Sequence, residues 1–168
     1  MLEKIQAQQP LSQAEADEWK SVETRFDAIC KKAYDLDVNL LVDGEETWIQ
    51  DTIDAFAYKA MAKYNQHRAV IYNTYQLYRA DMLQNLQEAF AQAQEKKYFL
   101  GAKLVRGAYM EKESLRAKNM GYPDPIQPTK DACDRDFNEA LRFCMENLEK
   151  SACVRVRTTN SAISCLWS

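Results

Sequence analysis

A chain of 168 residues that is 46% apolar and 28% charged can bury one core, and this composition excludes a disordered segment. A net charge of −3 supplies no basic face for nucleic acid, and no apolar run reaches the length of a membrane span. Five cysteines without a CxxC pair, and one histidine, do not make a Cys/His zinc site, so no metal is expected and the thiols read as small core residues.

The opening MLEKIQAQQPLSQAEADEWK has no apolar secretory segment, so a cytoplasmic protein is expected. Ser12 and Glu15 have the spacing of a capping box. Trp19, Val22, Phe26, Ile29, Cys30 and Ala33 then recur at helical intervals. VNLLVD, Val38 to Asp43, reads as a short buried strand closed by an acid. The next helix gathers Ile53, Phe56, Ala57, Ala60, Met61 and Tyr64 on one face. AVIYNTY is β-branched and aromatic, a second strand. A helix from Tyr75 to Lys97 is expected next, and FLGAKLVRGAY is a third strand. KNMGYPDPIQP holds one glycine and three prolines and reads as a loop. A helix from Lys130 to Lys150 carries Phe137, Ala140, Leu141, Cys144 and Leu148 on one stripe, and ACVRV is a fourth strand.

Strands alternating with long helices imply right-handed βαβ units and a parallel sheet. The fold class is α/β. Four strands make either a small open domain or a partial (βα)8 barrel, which needs eight. No GxGxxG follows the first strand and no P-loop occurs, so the common nucleotide-binding folds are not signalled.

Chemistry in parallel sheets collects at the carboxyl ends of the strands. The first ends at Asp43, followed by Gly44, Glu45 and Glu46, and the second near Asn73, Tyr75 and Gln76. The third carries two cations. By alternation Lys103, Val105 and Gly107 share one face, and Leu104, Arg106 and Ala108 the other. A buried cation requires an anionic or strongly accepting partner. Asp43 could serve, and so could an anionic cofactor; otherwise both cations sit at solvated strand ends. Gly107 beside Ala108 marks a close approach to the backbone or a β-bulge.

LVDGEETWIQ, VIYNTYQLYRAD and GAKLVRGAYM together resemble the proline dehydrogenase family. NMGYPDPIQPTKDACDRDFNEAL is similar to the loop and helix that follow that family's LVRGAY strand, and the resemblance extends over Ala14 to Ser151. It implies a variant (βα)8 barrel that holds FAD and oxidises L-proline to pyrroline-5-carboxylate. It also implies a quinone as electron acceptor and membrane-surface contact for the full-length protein only.

The resemblance further implies roles by position. Lys103 and Arg106 match basic residues at the FAD, and Val105 and Gly107 match backbone positions along the flavin ring. Leu104, Ala108 and Tyr109 match residues near proline, with the tyrosine lining its pocket. Asp43 matches the acid that supports the substrate-site ion network, and Asn73 a polar side chain on the flavin ring. Met110 stands where the family has tryptophan or methionine. Gly44 replaces an alanine, so looser packing is expected there.

Parts of the family pattern have no counterpart. The first barrel strand, with the lysine that partners the acid, has no likeness in MLEKIQAQQPL. The paired arginine that grips the proline carboxylate does not occur. After Ala152 the family has an apolar strand ending in a motif like GTHNE, where this chain reads CVRVRTTNSAISCLWS. Arg155 to Ser161 can be encoded so that the frame displaced by two bases reads Gly-Thr-His-Asn-Glu. A frameshift near Val154 is therefore expected, with residues 1–152 a partial barrel and 153–168 an out-of-frame tail. On that reading the sheet has open edges and a bare inner face, and the chain is either an inactive fragment of the enzyme or a remnant that only binds a partner.

Overall fold

The helix that opens at Gln13 has its start written in two side chains. Ser12 Oγ accepts from the Glu15 amide at 3.3 Å, and Glu15 Oε2 accepts from the Ser12 amide at 2.8 Å. The Lys4 ammonium, 2.6 Å from Glu15, and these bonds hold the Glu15 carboxyl down at about 2. A computed structural model describes residues 1–44, 46–107 and 110–148, and the backbone of 152–157.

The elements run α1 (Leu2–Gln6), α2 (Gln13–Asp35), β1 (Leu40–Val42), α3 (Thr47–Tyr64), β2 (Ile71–Gln76), α4 (Met82–Glu95), β3 (Leu100–Val105), α5 (Met110–Met120), α6 (Lys130–Glu146) and β4 (Ala152–Arg157). All four strands are parallel, and their spatial order β1-β2-β3-β4 is their chain order. Asn73 stands beside Ala102, Tyr75 beside Leu104, and Val42 beside Asn73.

Alternation along these strands makes two faces. Ile71, Tyr75, Leu100, Ala102 and Leu104 share a core with Ala57 and Met61 of α3, Leu86 and Ala93 of α4, and Phe137 and Ala140 of α6. The helices therefore cover one face. A sheet wound in one direction with its helices on one side is an arc of a (βα)8 barrel, since a doubly wound sheet reverses its order and is covered twice. The opposite face carries Tyr72, Thr74 and Gln76 of β2 and Gly101, Lys103 and Val105 of β3. Tyr72, Thr74, Gln76 and Lys103 are all buried, which corrects the expectation of a bare inner face; Leu41, on the edge strand, is 42% exposed.

Close packing shows at two points. A Cβ on Gly101 would run into the backbone carbonyl of Ile71, so the third strand tolerates no side chain there. Asn65, fully buried just past α3, ties the amino ends of β2 and β3 together. Three helices stop on non-glycine residues in the left-handed region, Gln8 (φ 53°) after α1, Asp37 (φ 55°) after α2 and Lys97 (φ 58°) after α4. The amides that follow bond back, Gln9 to Lys4 at 2.8 Å, Val38 to Ala33 at 2.9 Å and Tyr98 to Ala93 at 3.0 Å, which satisfies a carbonyl at each helix end.

Several boundaries differ from the expected ones. β2 runs on through Gln76, and α4 begins at Met82 rather than Tyr75. β3 ends at Val105, so Arg106 lies past the strand, and its side chain meets Asp134 and Phe137 of α6 on the side where Leu104 is buried. α1 and α5 were not expected. α5 exposes Leu115 and Met120 and has no apolar stripe to read; polar contacts hold it instead. Glu113, nearly fully buried, accepts from the Thr47 amide at 2.9 Å and the Thr47 hydroxyl at 2.7 Å. Arg116 meets Glu3 at 3.1 Å and lies over the Trp48 ring. Ile29, placed on the α2 stripe, is exposed at its margin, while Cys30 is fully buried. β4 extends ACVRV to Arg157 and pairs in register with β3, from Leu100 beside Ala152 to Val105 beside Arg157. Residues 158–168, most of the expected out-of-frame tail, lie outside the described residues. Among the described residues no helix is long and apolar enough to cross a membrane, and no three His, Cys, Asp or Glu side chains are grouped to hold a metal.

Candidate active site

Three side chains stand level across the carboxyl end of the sheet. Asp43 follows β1, Thr74 is in β2, and Lys103 stands beside Thr74 in β3. Lys103 Nζ donates to Asp43 Oδ1. Thr74 Oγ1 lies 2.8 Å from both Asp43 Oδ1 and Val42 O, and its one proton serves either. Lys103 is 8% exposed at the side chain and Asp43 49%, so the amine is the desolvated partner and the carboxylate is half exposed. One step on, Gln76 Nε2 donates to the Gly44 carbonyl and fixes the turn after β1. Gly44 is not loosely packed: a Cβ there would lie 2.8 Å from the Gln50 side-chain oxygen, so the amide of Gln50 takes the space.

Arg106 and Gly107 follow β3 at the same edge. Arg106 Nη1 donates to Asp134 Oδ1 of α6 at 3.0 Å. Its Nε is buried with no hydrogen-bond partner among the described residues. Among the described residues, Gly107 has no neighbour nearer its missing Cβ than Met110 Cε at 4.0 Å. Both line a cavity of about 570 Å³ between the start of α5, the loop before α6, and α6 itself. That loop crosses the end of β2, where Gln127 donates its amide to Tyr78 O at 2.8 Å and Ala80 to Pro125 O at 3.0 Å.

The geometry divides the residues singled out from the sequence. Asp43, Lys103 and Val105 share the inner face; Arg106 and Gly107 follow β3 at its carboxyl end, with the Arg106 side chain turned to α6. Leu104 and Asn73 lie on the helix-covered face. Leu104 is fully buried in the core. Asn73 Nδ2 donates to Asp54 Oδ1 of α3 at 2.7 Å, and Gln50 donates to the same oxygen at 2.6 Å. Burial there raises the Asp54 carboxyl above its ordinary value. Asn73 is therefore set apart from the other cofactor candidates, and Gln76 holds the inner-face position in its strand. Ala108 and Tyr109 lie outside the described residues. Thr74 and Asp134 went unnoticed in the sequence, and Gln76 was read only as a residue at the end of the second strand. The alternation of IYNTYQ carries a signal for Thr74 and Gln76, because they share one parity while Ile71 and Tyr75 share the other.

Residues at this edge suit an anionic, planar cofactor such as the flavin that the resemblance implies. Arg106 keeps a buried donor unspent, and Gly107 leaves its backbone open to approach.

Comparison with known proteins gives the family. The sequence model described as proline dehydrogenase matches residues 1–165. Proline dehydrogenase 1, mitochondrial, of Drosophila melanogaster is 38% identical over 135 residues, 80% of this chain and 20% of that protein. The Homo sapiens protein of the same description is 37% identical over 132 residues, 79% of this chain and 22% of that protein. Proline utilization A from Bdellovibrio bacteriovorus, inactivated by N-propargylglycine, superimposes with a TM-score of 0.75 at 19% identity, over 83% of this chain and 15% of that one, and shares the fold. The chain thus spans about a fifth of the length of these relatives. With nearly its whole length matched, it belongs to the proline dehydrogenase family.

Proposed function

We propose that this chain is part of an FAD-dependent proline dehydrogenase, which oxidises L-proline to pyrroline-5-carboxylate. The observation that carries the reading is the row Asp43–Thr74–Lys103 at the carboxyl ends of three neighbouring strands, where the barrel architecture collects its chemistry. The flavin, when bound, supplies the two-electron acceptor for the hydride that leaves Cδ of proline.

The chain's own residues then have separate tasks. Lys103 and Arg106 place positive charge at the cofactor edge, which favours the anionic reduced ring. Asp43 holds Lys103 and turns its exposed side to the substrate opening. Val105 and Gly107 present backbone along the ring, and Leu104 backs the site from the core. Ala108 and Tyr109 follow Gly107 in sequence and are assigned to the proline pocket. Asn73 supports the site through Asp54, from behind the sheet. The electrons pass on to a quinone, and contact with a membrane surface belongs to the full-length protein. The compartment proposed for this chain is the cytoplasm.

The test is the flavin absorbance of the purified chain with and without added FAD, and proline-dependent dye reduction in the same sample. Bound flavin with turnover supports the reading for this chain. Bound flavin without turnover assigns the proline chemistry to the longer protein and makes this chain a non-catalytic segment. No uptake of FAD overturns the cofactor assignment.

A further inference from the structure

One turn of one helix grips Arg106. Asp134 Oδ1 accepts from Arg106 Nη1 at 3.0 Å, and the guanidinium carbon lies 4.5 Å from the centre of the Phe137 ring. The Cys133 thiol donates to the Arg106 carbonyl at 3.0 Å. Positions 133, 134 and 137 fall on one side of α6, so a single turn reaches both the backbone and the side chain of the arginine. The turn is itself fixed. Thr129 Oγ1 accepts from the Ala132 amide at 3.1 Å, and Phe137 is fully buried.

Asp134 gives its second oxygen to Lys130, so one carboxylate is shared by two cations and the trio keeps one positive charge, which faces Glu111 across the cavity. All three line the cavity of about 570 Å³ together with Gly107, Ser114 and Gln127. The buried Nε of Arg106 stays unspent. A long side chain normally loses rotamer freedom when it binds, and one already held has lost that freedom beforehand.

We propose that Asp134 is a positioning residue: with Cys133 and Phe137 it holds the Arg106 guanidinium in place, before any ligand arrives, for contact with the flavin. The inference rests on the flavin reading above and adds to it a residue that touches only the arginine. Asp134 acts through hydrogen-bond geometry, so asparagine, which keeps the acceptor oxygen, replaces it and alanine does not.

Two readouts on the 168-residue chain test this. The first is the arginine side-chain 15N–1H spectrum without ligand, with the Arg106 Nε–H signal assigned by its loss in Arg106→Lys. Asp134→Asn is expected to keep that signal at its place, and Asp134→Ala to move it to the position and rapid solvent exchange of a free arginine. The second is FAD titration followed by flavin fluorescence. Asp134→Ala is expected to weaken binding by roughly tenfold or more, the size of a lost charge-assisted bond. Asp134→Asn is expected to stay within about threefold of the parent. Far-UV circular dichroism and urea midpoints establish that both variants fold. An unmoved Arg106 signal in Asp134→Ala overturns the clamp, as does equal loss of FAD affinity in both variants. If the parent chain takes up no FAD, the flavin reading falls, and the Arg106 signal still decides whether Asp134 holds the arginine.

Discussion

Asn65 pairs with Ile71 as a neighbouring strand would. Its Oδ1 accepts from the Ile71 amide at 3.0 Å, and its Nδ2 donates to the Ile71 carbonyl at 2.8 Å. The same amide also accepts from Val70 N at 3.0 Å and donates to Phe99 O at 2.9 Å. One fully buried side chain therefore satisfies backbone groups at the start of two strands. Asn65→Ala is expected to cost about 3 kcal/mol, since it strands several buried polar groups at once. Urea unfolding measures it; a loss near that of an ordinary surface change would refute the role.

Two glycines on the third strand and its exit make opposite forecasts. In Gly101→Ala the new methyl meets backbone at Ile71, which cannot swing aside, and a cost of about 3 kcal/mol or more is expected. Gly107→Ala meets nothing among the described residues nearer than Met110 Cε at 4.0 Å, so its stability should stay within about 0.5 kcal/mol of the parent. If the Gly107 backbone lies along the flavin, the same methyl lowers FAD affinity. Denaturation midpoints and FAD titration of the pair separate packing from cofactor contact.

The ion pair of the candidate site is lopsided in burial, and mutation should show it. Removing Asp43 leaves the amine of Lys103 desolvated, whereas removing Lys103 leaves a half-exposed carboxylate that water reaches. Asp43→Ala is expected to cost about 2 kcal/mol and Lys103→Met less than about 1 kcal/mol, because an apolar side chain fills a buried cation's place at little penalty. Equal costs in urea titrations would mean that burial does not set the balance.

Asp54 predicts a pH dependence. Burial raises its carboxyl above the ordinary value, ahead of the bonds from Asn73 and Gln50 that lower it. The folded state thus binds this proton more tightly than the unfolded chain. The contribution is most favourable at pH below the ordinary value and is lost as pH rises through the raised one. Asp54→Asn removes that dependence and is expected to stabilise the chain at neutral pH. Urea unfolding of both proteins over a pH series that starts near the ordinary carboxyl value should give a smaller slope for the variant.

The described thiols should be slow to react. Burial pushes Cys30 up to about 11 and Cys144 up to about 12, and raises Cys133 as well. Thiolate is the reacting form. Site-resolved mass spectrometry after mild alkylation is expected to find these three unmodified until denaturant is added. The side chains of Cys153 and Cys165 lie outside the described residues.

What could be read in advance followed the range of the interaction. The capping box at Ser12 and Glu15 is local, and it formed as spaced. The order of strands and helices follows from periodicity, and Asp43 was among the partners open to Lys103. The partner of Arg106 was not legible, because Asp134 lies 28 residues away with a loop and a helix between. α5 was invisible for a different reason: its contacts are single polar ties to Thr47, Glu3 and Trp48, which leave no period in the sequence. Asn73 was assigned to the flavin ring through the resemblance alone, and its bond to Asp54 of α3, which puts it on the helix-covered face, leaves no local mark in the sequence.

The order of the strands also bears on time. Each strand after the first finds its hydrogen-bond partner in the strand synthesised just before it. The first two docking steps each close a loop of one helix and its turns, and the step from β3 to β4 spans two helices, so the entropic cost of each step, which grows slowly with loop length, stays small. A sheet of this kind can be laid down unit by unit as the chain leaves the ribosome, without waiting for a distant segment to arrive.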